Sequence, residues 1–457
     1  MTKQLNVTNI QGIVASGYMH LPWSAYLIFD IDPATARDAA QWVETISGKI
    51  TTAQSRDEKQ SLNIAFTHSG LQHLGIDRTV LNSFSLPFVD GMSSERRAWL
   101  LDDPRPLEWG NQGEPVDVLL MAFAPTEAGL EATAAGLKRD AAAGRLSLRK
   151  DLRGHVHEDR REHFGFFDGI AQPIIEGLPN RLDTPPGHRD LVKSGEFVLG
   201  YKNEYGNQSD APQLGPDGEL GKDGTYLVFR QTSQDVRGFW NAVATAARRY
   251  SLEEEKLAAK MIGRWKNGAP LVRAPESDNA KFAAHRDTPD GTEDPSNNFG
   301  FKEDPEGLRC PLGAHIRRAN PRNGSLHTEE TSLPAPSVRH RLLRRGRSYG
   351  PKHDFRVRSS GAIERGLYFI ALCADLERQF EFVQQTWINN PAFNELDEVD
   401  PLVGAQPSNP AKKTFTIQAG PTRQRVHDMR SFVHLNGGAY FFVPSIDALK
   451  WLGNPDR

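Results

Sequence analysis

The chain has 457 residues, 38% hydrophobic and 25% charged, with a net charge of −3 and a pI near 6.6. This ordinary globular balance argues against nucleic-acid binding, whose domains are usually basic, and no apolar run approaches the ~18–20 residues of a membrane span. The two cysteines, Cys310 and Cys373, exclude a disulfide framework and a thiolate-rich metal cluster; with no secretory or twin-arginine signal in view, a cytoplasmic location is expected.

Ser24–Ile31 reads as a strand and Ala34–Gly48 as the helix after it. Leu62–Gly75 reads as strand then helix. Val116–Pro125 is a continuous apolar run, the pattern of a strand buried on both faces, and Thr126–Ala143 is a helix opened by a Thr-Glu start. From about Pro179 to Gly224 the chain is rich in Gly, Pro, Asp and Asn, as in a linker or a long functional loop. The pattern then restarts with a strand at Thr225–Gln231, helices at Asp235–Ala247 and Leu252–Trp265, and strand-into-helix segments at Glu364–Asn389 and Gly438–Lys450. Two α+β units are expected, residues 1–220 and 221–457, each a sheet with helices on one face.

The signatures of phosphate-binding loops, nucleophile elbows, zincins and dinucleotide folds are absent. Three segments remain: Gly165-Phe166-Phe167-Asp168-Gly169, Arg309–Gly324 and His340–Gly350. Singly, each has a plain structural explanation. Asp-Gly is a common turn, a lone histidine is more often a satisfied core residue, and an arginine run is usually a solvated face.

Together they suit haem and peroxide. His315, on a short apolar stretch ended by Asn320-Pro321, is placed to ligate iron, with Arg317 and Arg318 reaching the porphyrin propionates. Cys310 is a rival thiolate ligand, but the sequence shows no device to lower its pKa. A peroxidase also needs a base to move a proton between the two peroxide oxygens and a fixed cation for the developing charge. Asp168, kept dry by Phe166 and Phe167, and an arginine after Leu342-Leu343 supply that pair.

These segments, with "NIQGIVASGY", "GTYLVFRQ", "MIGRWKNGAPLV", "NNFGF" and "GGAYFFVPSIDAL" in the same order, resemble the dye-decolorising peroxidases over nearly the whole chain. The resemblance implies two ferredoxin-like α+β domains with antiparallel sheets and haem b in a cavity mainly against the second. It implies Asp168 and Arg344 (Arg345 if the register slips) as the distal pair and His315 as the iron ligand. Arg317, Phe166 and Gly169 would also contact the cofactor. It further implies an acidic partner for His315, for which Asp375 is preferred over Glu377 and Glu381. The activity implied is reduction of H2O2 through a ferryl intermediate and oxidation of dyes, phenols or similar aromatic donors. A haem carrier or sensor, or a haem-modifying, iron-releasing protein, is the alternative.

Overall fold

The computed structural model describes residues 4–55, 59–100, 102, 105–178, 188–214, 218–284, 294–323, 336–352, 363–420 and 422–456. Part of the loop expected at Pro179–Gly224 therefore lies outside the described residues. The strands are β1 (Trp23–Ile31), β2 (Ser61–Phe66), β3 (Val118–Ala124), β4 (Leu146–His155), β5 (Ile174–Ile175), β6 (Leu191–Val192), β7 (Thr225–Gln234), β8 (Leu343–Arg344), β9 (Arg347–Tyr349), β10 (Gly366–Cys373), β11 (Thr414–Ile417), β12 (Gln424–His427) and β13 (Val433–Val443).

Two four-stranded antiparallel sheets carry the fold. The first runs β2-β3-β1-β4, and the second runs β13-β7-β10 with the short β8 and β9 completing its edge. Each is the ferredoxin-like order, in which the first and third strands are central. Helices Ala36–Ser47 and Glu127–Ala143 return the chain across the first sheet, and Val236–Tyr250 follows β7 in the second. The sheets join at their edges through Phe442 opposite Phe66 and His155 opposite Ser348, closing a ring.

Strand periodicity then separates two cores. On β1, Tyr26 and Ile28 face inward, with Met121, Phe123, Phe229, Tyr368 and Ile370 between the sheets. Ala25, Leu27, Phe29 and Ile31 face outward onto Trp42, Val43, Leu130 and Leu137 of the helices. The same alternation on the second sheet sends Arg230, Thr232 and Gln234 of β7, Leu367 and Phe369 of β10, and Val433 and Leu435 of β13 to its outer face. There they line a cavity.

Two elements depart from the sequence reading. β4 was not expected, because its residues are mostly polar and exposed. The helix after β10 is π-type from Leu376 to Glu381 and again from Val383 to Ile388, a geometry frequent at functional sites. It presents Phe380, Val383, Gln384 and Ile388 to the cavity.

Candidate active site

The turn carrying Asp168 is folded by its glycines and by one carboxylate. Gly165 and Gly169 have φ of 98° and 83°, backbone that side-chain-bearing residues rarely adopt. Glu162 accepts the backbone N–H of Phe166 at Oε1 (3.0 Å) and of Phe164 at Oε2 (2.8 Å), and the amide of Gln234 at Oε2 (2.8 Å). The N–H groups of Phe167 and Asp168 donate to the carbonyls of Lys266 and Arg160, each at 3.0 Å.

Asp168 lies beside Arg344, with Oδ1 3.6 Å from the guanidinium. Its side chain opens onto the cavity. Phe166 does not wrap it, but packs with Phe164 and Phe239 and stacks parallel to Trp240 with ring centres 6.4 Å apart. Loss of solvent pushes the Glu162 carboxyl up to about 7 against its hydrogen-bond donors. Gly169 and Phe166 both border the cavity.

Arg344 and Arg345 point opposite ways, as neighbours on extended backbone must. Arg344 lines the cavity, and its N–H donates to Oε1 of Gln172 at 3.1 Å, tying β8 to the Asp168 turn. Arg345 instead donates to the carbonyls of Ile13 and Val14, both at 2.8 Å.

His315 opens the one-turn helix His315–Ala319 and lines the cavity across from these groups. Its Nδ1 lies 3.0 Å from Oδ2 of Asp400. Asp400 is fully buried and is held by the N–H groups of Leu402 and Val403, each 2.9 Å from Oδ1. Burial opposes charge on the imidazole, but the Asp400 carboxylate outweighs it and raises the His315 pKa. Burial likewise opposes charge on Asp400, yet His315 and the N–H donors lower it.

The carboxylate on His315 is thus Asp400 and not Asp375. Asp375 caps the π-helix, accepting from the N–H and side chain of Arg378 at 2.9 and 3.2 Å. Glu381 is engaged by Arg96 and Tyr440. Sequence reasoning missed Asp400, whose one local signal is an Asp-Pro-Leu-Val turn that accepts its own following N–H groups.

Arg317 and Arg318 are also corrected as propionate partners. Arg317 donates to the carbonyls of Cys310 and Asp304 at 3.0 and 2.9 Å, with its guanidinium 4.6 Å from the Phe301 ring. Arg318 donates to the carbonyls of Trp387 and Asn390 at 2.7 and 3.1 Å. Neither lines the cavity. Cys310 is buried, and burial pushes its thiol up to about 12, away from thiolate character.

Three other arginines form a cationic wall: Arg264, Arg322 and Arg341. Arg341 is paired with Asp190 at 3.1 Å. Burial, with the added repulsion of Arg344, brings Arg264 down to about 10 even though Asp294 favours its charge. Burial and the positive charge of Arg264 hold Arg322 well below its usual value. Arg264 and Arg322 also donate to the carbonyls of Gly268 and Asn297, so what they bring to that wall is positive charge not cancelled by a carboxylate partner of their own among the described residues, which fits an anionic group there. The rest of the roughly 350 Å³ cavity is mainly apolar, with Ile262, Ile316, Leu342, Phe369, Phe380 and Leu402. One imidazole backed by a carboxylate, an apolar slot and a cationic rim fit haem. Among the described residues no group of three or more His, Cys, Asp or Glu could hold a bare metal ion, and no helix is long and apolar enough to cross a membrane.

Comparison with known proteins places the chain in a family. The C-terminal family profile of the Dyp-type peroxidases matches residues 188–405. Peroxidase 2 of Mycetinis scorodonius is 30% identical over 98% of this chain and 87% of its own length. An ancestral D-type dye-decolorising peroxidase superposes with a TM-score of 0.79 at 27% identity, covering 98% of this chain and 99% of that one. A decolorising peroxidase of Auricularia auricula-judae gives 0.78 at 26%, covering 98% and 100%. The chain belongs to the Dyp-type family of dye-decolorising peroxidases, and is a haem-dependent peroxidase of that family.

Proposed function

We propose that the cavity holds haem b and that the enzyme reduces H2O2 while oxidising dyes, phenols or similar one-electron donors. The observation that supports this reading best is the pairing of Asp168 and Arg344 in the same cavity as an imidazole fixed by a buried carboxylate. In this reading the chain divides near residue 220. The first part brings Asp168, and the second brings Arg344 and His315.

With Nδ1 engaged by Asp400, His315 would hold the iron through Nε2, and Arg264, Arg322 and Arg341 would face the propionates. Bound haem would supply the redox chemistry that couples two-electron reduction of peroxide to one-electron oxidation of donors. Asp168 accepts the proton from the peroxide oxygen that stays and delivers it to the oxygen that leaves as water. Arg344 remains cationic and stabilises the charge that develops as the O–O bond breaks. Its hydrogen bond to Gln172 keeps the cation and the Asp168 turn in register.

The test is the second-order rate of reaction with H2O2 at matched haem occupancy. Asp168→Asn keeps the shape of the turn but cannot take up the proton, and should slow the reaction by ~10²–10⁴-fold. Arg344→Leu should slow it by ~10²–10³-fold. If both variants react as fast as the parent, the distal assignment is wrong.

A further inference from the structure

We propose that Glu162 is a positioning residue for the peroxide reaction: its ionised carboxylate gathers the turn that carries Asp168, so that the charge on Glu162 sets where Asp168 points. The inference rests on the reading of Asp168 as the base.

The geometry is a knot tied around one carboxylate. Besides the three bonds that Glu162 accepts from Phe164, Phe166 and Gln234, its own N–H donates to the Phe166 carbonyl at 3.0 Å, and Gly165 donates back to the Glu162 carbonyl at 2.9 Å. The knot ends two residues before Asp168. All three side-chain partners are N–H donors. An ionised carboxylate accepts all three, whereas a carboxylic acid has an O–H that needs an acceptor, which Gln234 supplies only by turning its amide over and withdrawing its own donation. Protonation of Glu162 therefore loosens the turn at its root.

The donors that reach the Glu162 carboxylate are neutral groups. Gln234 on β7 is neutral, and Trp240 on the following helix donates its indole N–H to the Phe164 carbonyl. Arg230, further along β7, is committed to Asp102 at 2.8 Å. The Lys266 ammonium lies over the Trp240 ring, 4.4 Å from its centre. His163 contacts the Tyr349 carbonyl at 2.8 Å and is held neutral by burial. The charged neighbour that acts on Glu162 is Asp168, and its negative charge adds to burial in raising the carboxyl to about 7. The knot therefore changes protonation near neutrality, far above an ordinary glutamate.

The experiment is stopped-flow reaction of the haem-loaded parent, Glu162→Gln, Asp168→Asn, the double variant and Gln234→Leu with H2O2, from about pH 5 to about pH 9. Glu162→Gln should be slower than the parent by roughly 10- to 100-fold at the alkaline end, the scale of a misplaced catalytic group. It should nearly match the parent at the acid end, where the parent is itself protonated. The double variant should be no slower than Asp168→Asn. Gln234→Leu removes a donor to the carboxylate and should move the parental inflection to higher pH.

Parental rates for Glu162→Gln beside a slow Asp168→Asn overturn this inference alone. An equal loss at both ends of the pH range, or a loss that multiplies that of Asp168→Asn, also overturns it. A fast Asp168→Asn overturns the underlying reading instead. If Glu162→Gln does not fold, an unshifted inflection in Gln234→Leu is decisive against the inference.

Discussion

His315 and Asp400 are joined by a 3.0 Å contact between Nδ1 and Oδ2, although 85 residues separate them in the chain. The carboxylate is fully buried and held by two backbone N–H groups, so the imidazole orientation is set before any ligand arrives.

Replacing Asp400 by Asn should weaken haem retention and lower peroxide reactivity by roughly 10- to 100-fold, the usual cost of removing such a support. Asp375→Asn should leave haem affinity at the parental value, since Asp375 serves the π-helix start. Titration of apo-protein with haem, followed at the Soret band, separates the two. Equal losses in both variants would contradict the assignment of Asp400.

His315→Ala should give a folded protein that holds haem weakly, lacks the spectrum of a histidine-ligated iron and has no peroxidase activity. Added imidazole should restore part of that spectrum. A variant with a normal Soret band and histidine signature would place the ligand elsewhere.

Arg322→Leu should reduce the preference of apo-protein for haem over haem dimethyl ester, in which the propionates are uncharged. A charge-assisted hydrogen bond contributes about 1.5–3 kcal/mol, which corresponds to roughly 10- to 100-fold in the affinity ratio. Arg317→Leu should perturb stability through the Asp304 loop without changing that ratio. Competitive reconstitution with the two porphyrins is the measurement.

Stability should fall in acid through His157 and His163. Burial, reinforced by neighbouring histidines, pushes both imidazoles down to about 4 in the folded protein, whereas an unfolded imidazole titrates near 6.5. Above about 6.5 both states are neutral and nothing changes. As pH falls toward about 4, the unfolded chain takes up protons that the folded one refuses, and stability is lost across that window. For His163 the shift corresponds to on the order of 3 kcal/mol. Thermal melts of the parent should show a drop in Tm over this range that His163→Asn reduces; an unchanged slope would refute the role.

The central strands β1, β3, β7 and β10, and the edge strand β2, were legible because each carries an apolar run that is largely buried on both faces. β4 was not, because one of its faces meets solvent and its residues alternate without an apolar partner set. The distal turn, Arg344 and His315 were legible because each sits in a short segment whose chemistry is unusual for its surroundings. The supports of the site were not. Asp400 reaches His315 across 85 positions of sequence, and Glu162, though close to the turn in sequence, is a carboxylate that nothing in its local sequence marks as the acceptor of the Phe164 and Phe166 N–H groups.

The arginine error has a simpler cause. On a helix, Arg317 stands about 200° around the axis from His315, so it was bound to face away. The cationic wall had to come from Arg264, Arg322 and Arg341, on other segments of the chain.

The closing of the ring between Phe66 and Phe442 has a consequence for how the protein is made. The first sheet uses strands from the first third of the chain and can assemble while synthesis continues. The second needs β13 beside β7, which lies far earlier in the chain. Pairing across such sequence separation is slow. Asp400 follows His315 by most of the remaining chain, so a nascent chain has no supported imidazole to offer. The ring, and the part of the cavity wall that Val433 and Leu435 add, is therefore complete only when β13 docks.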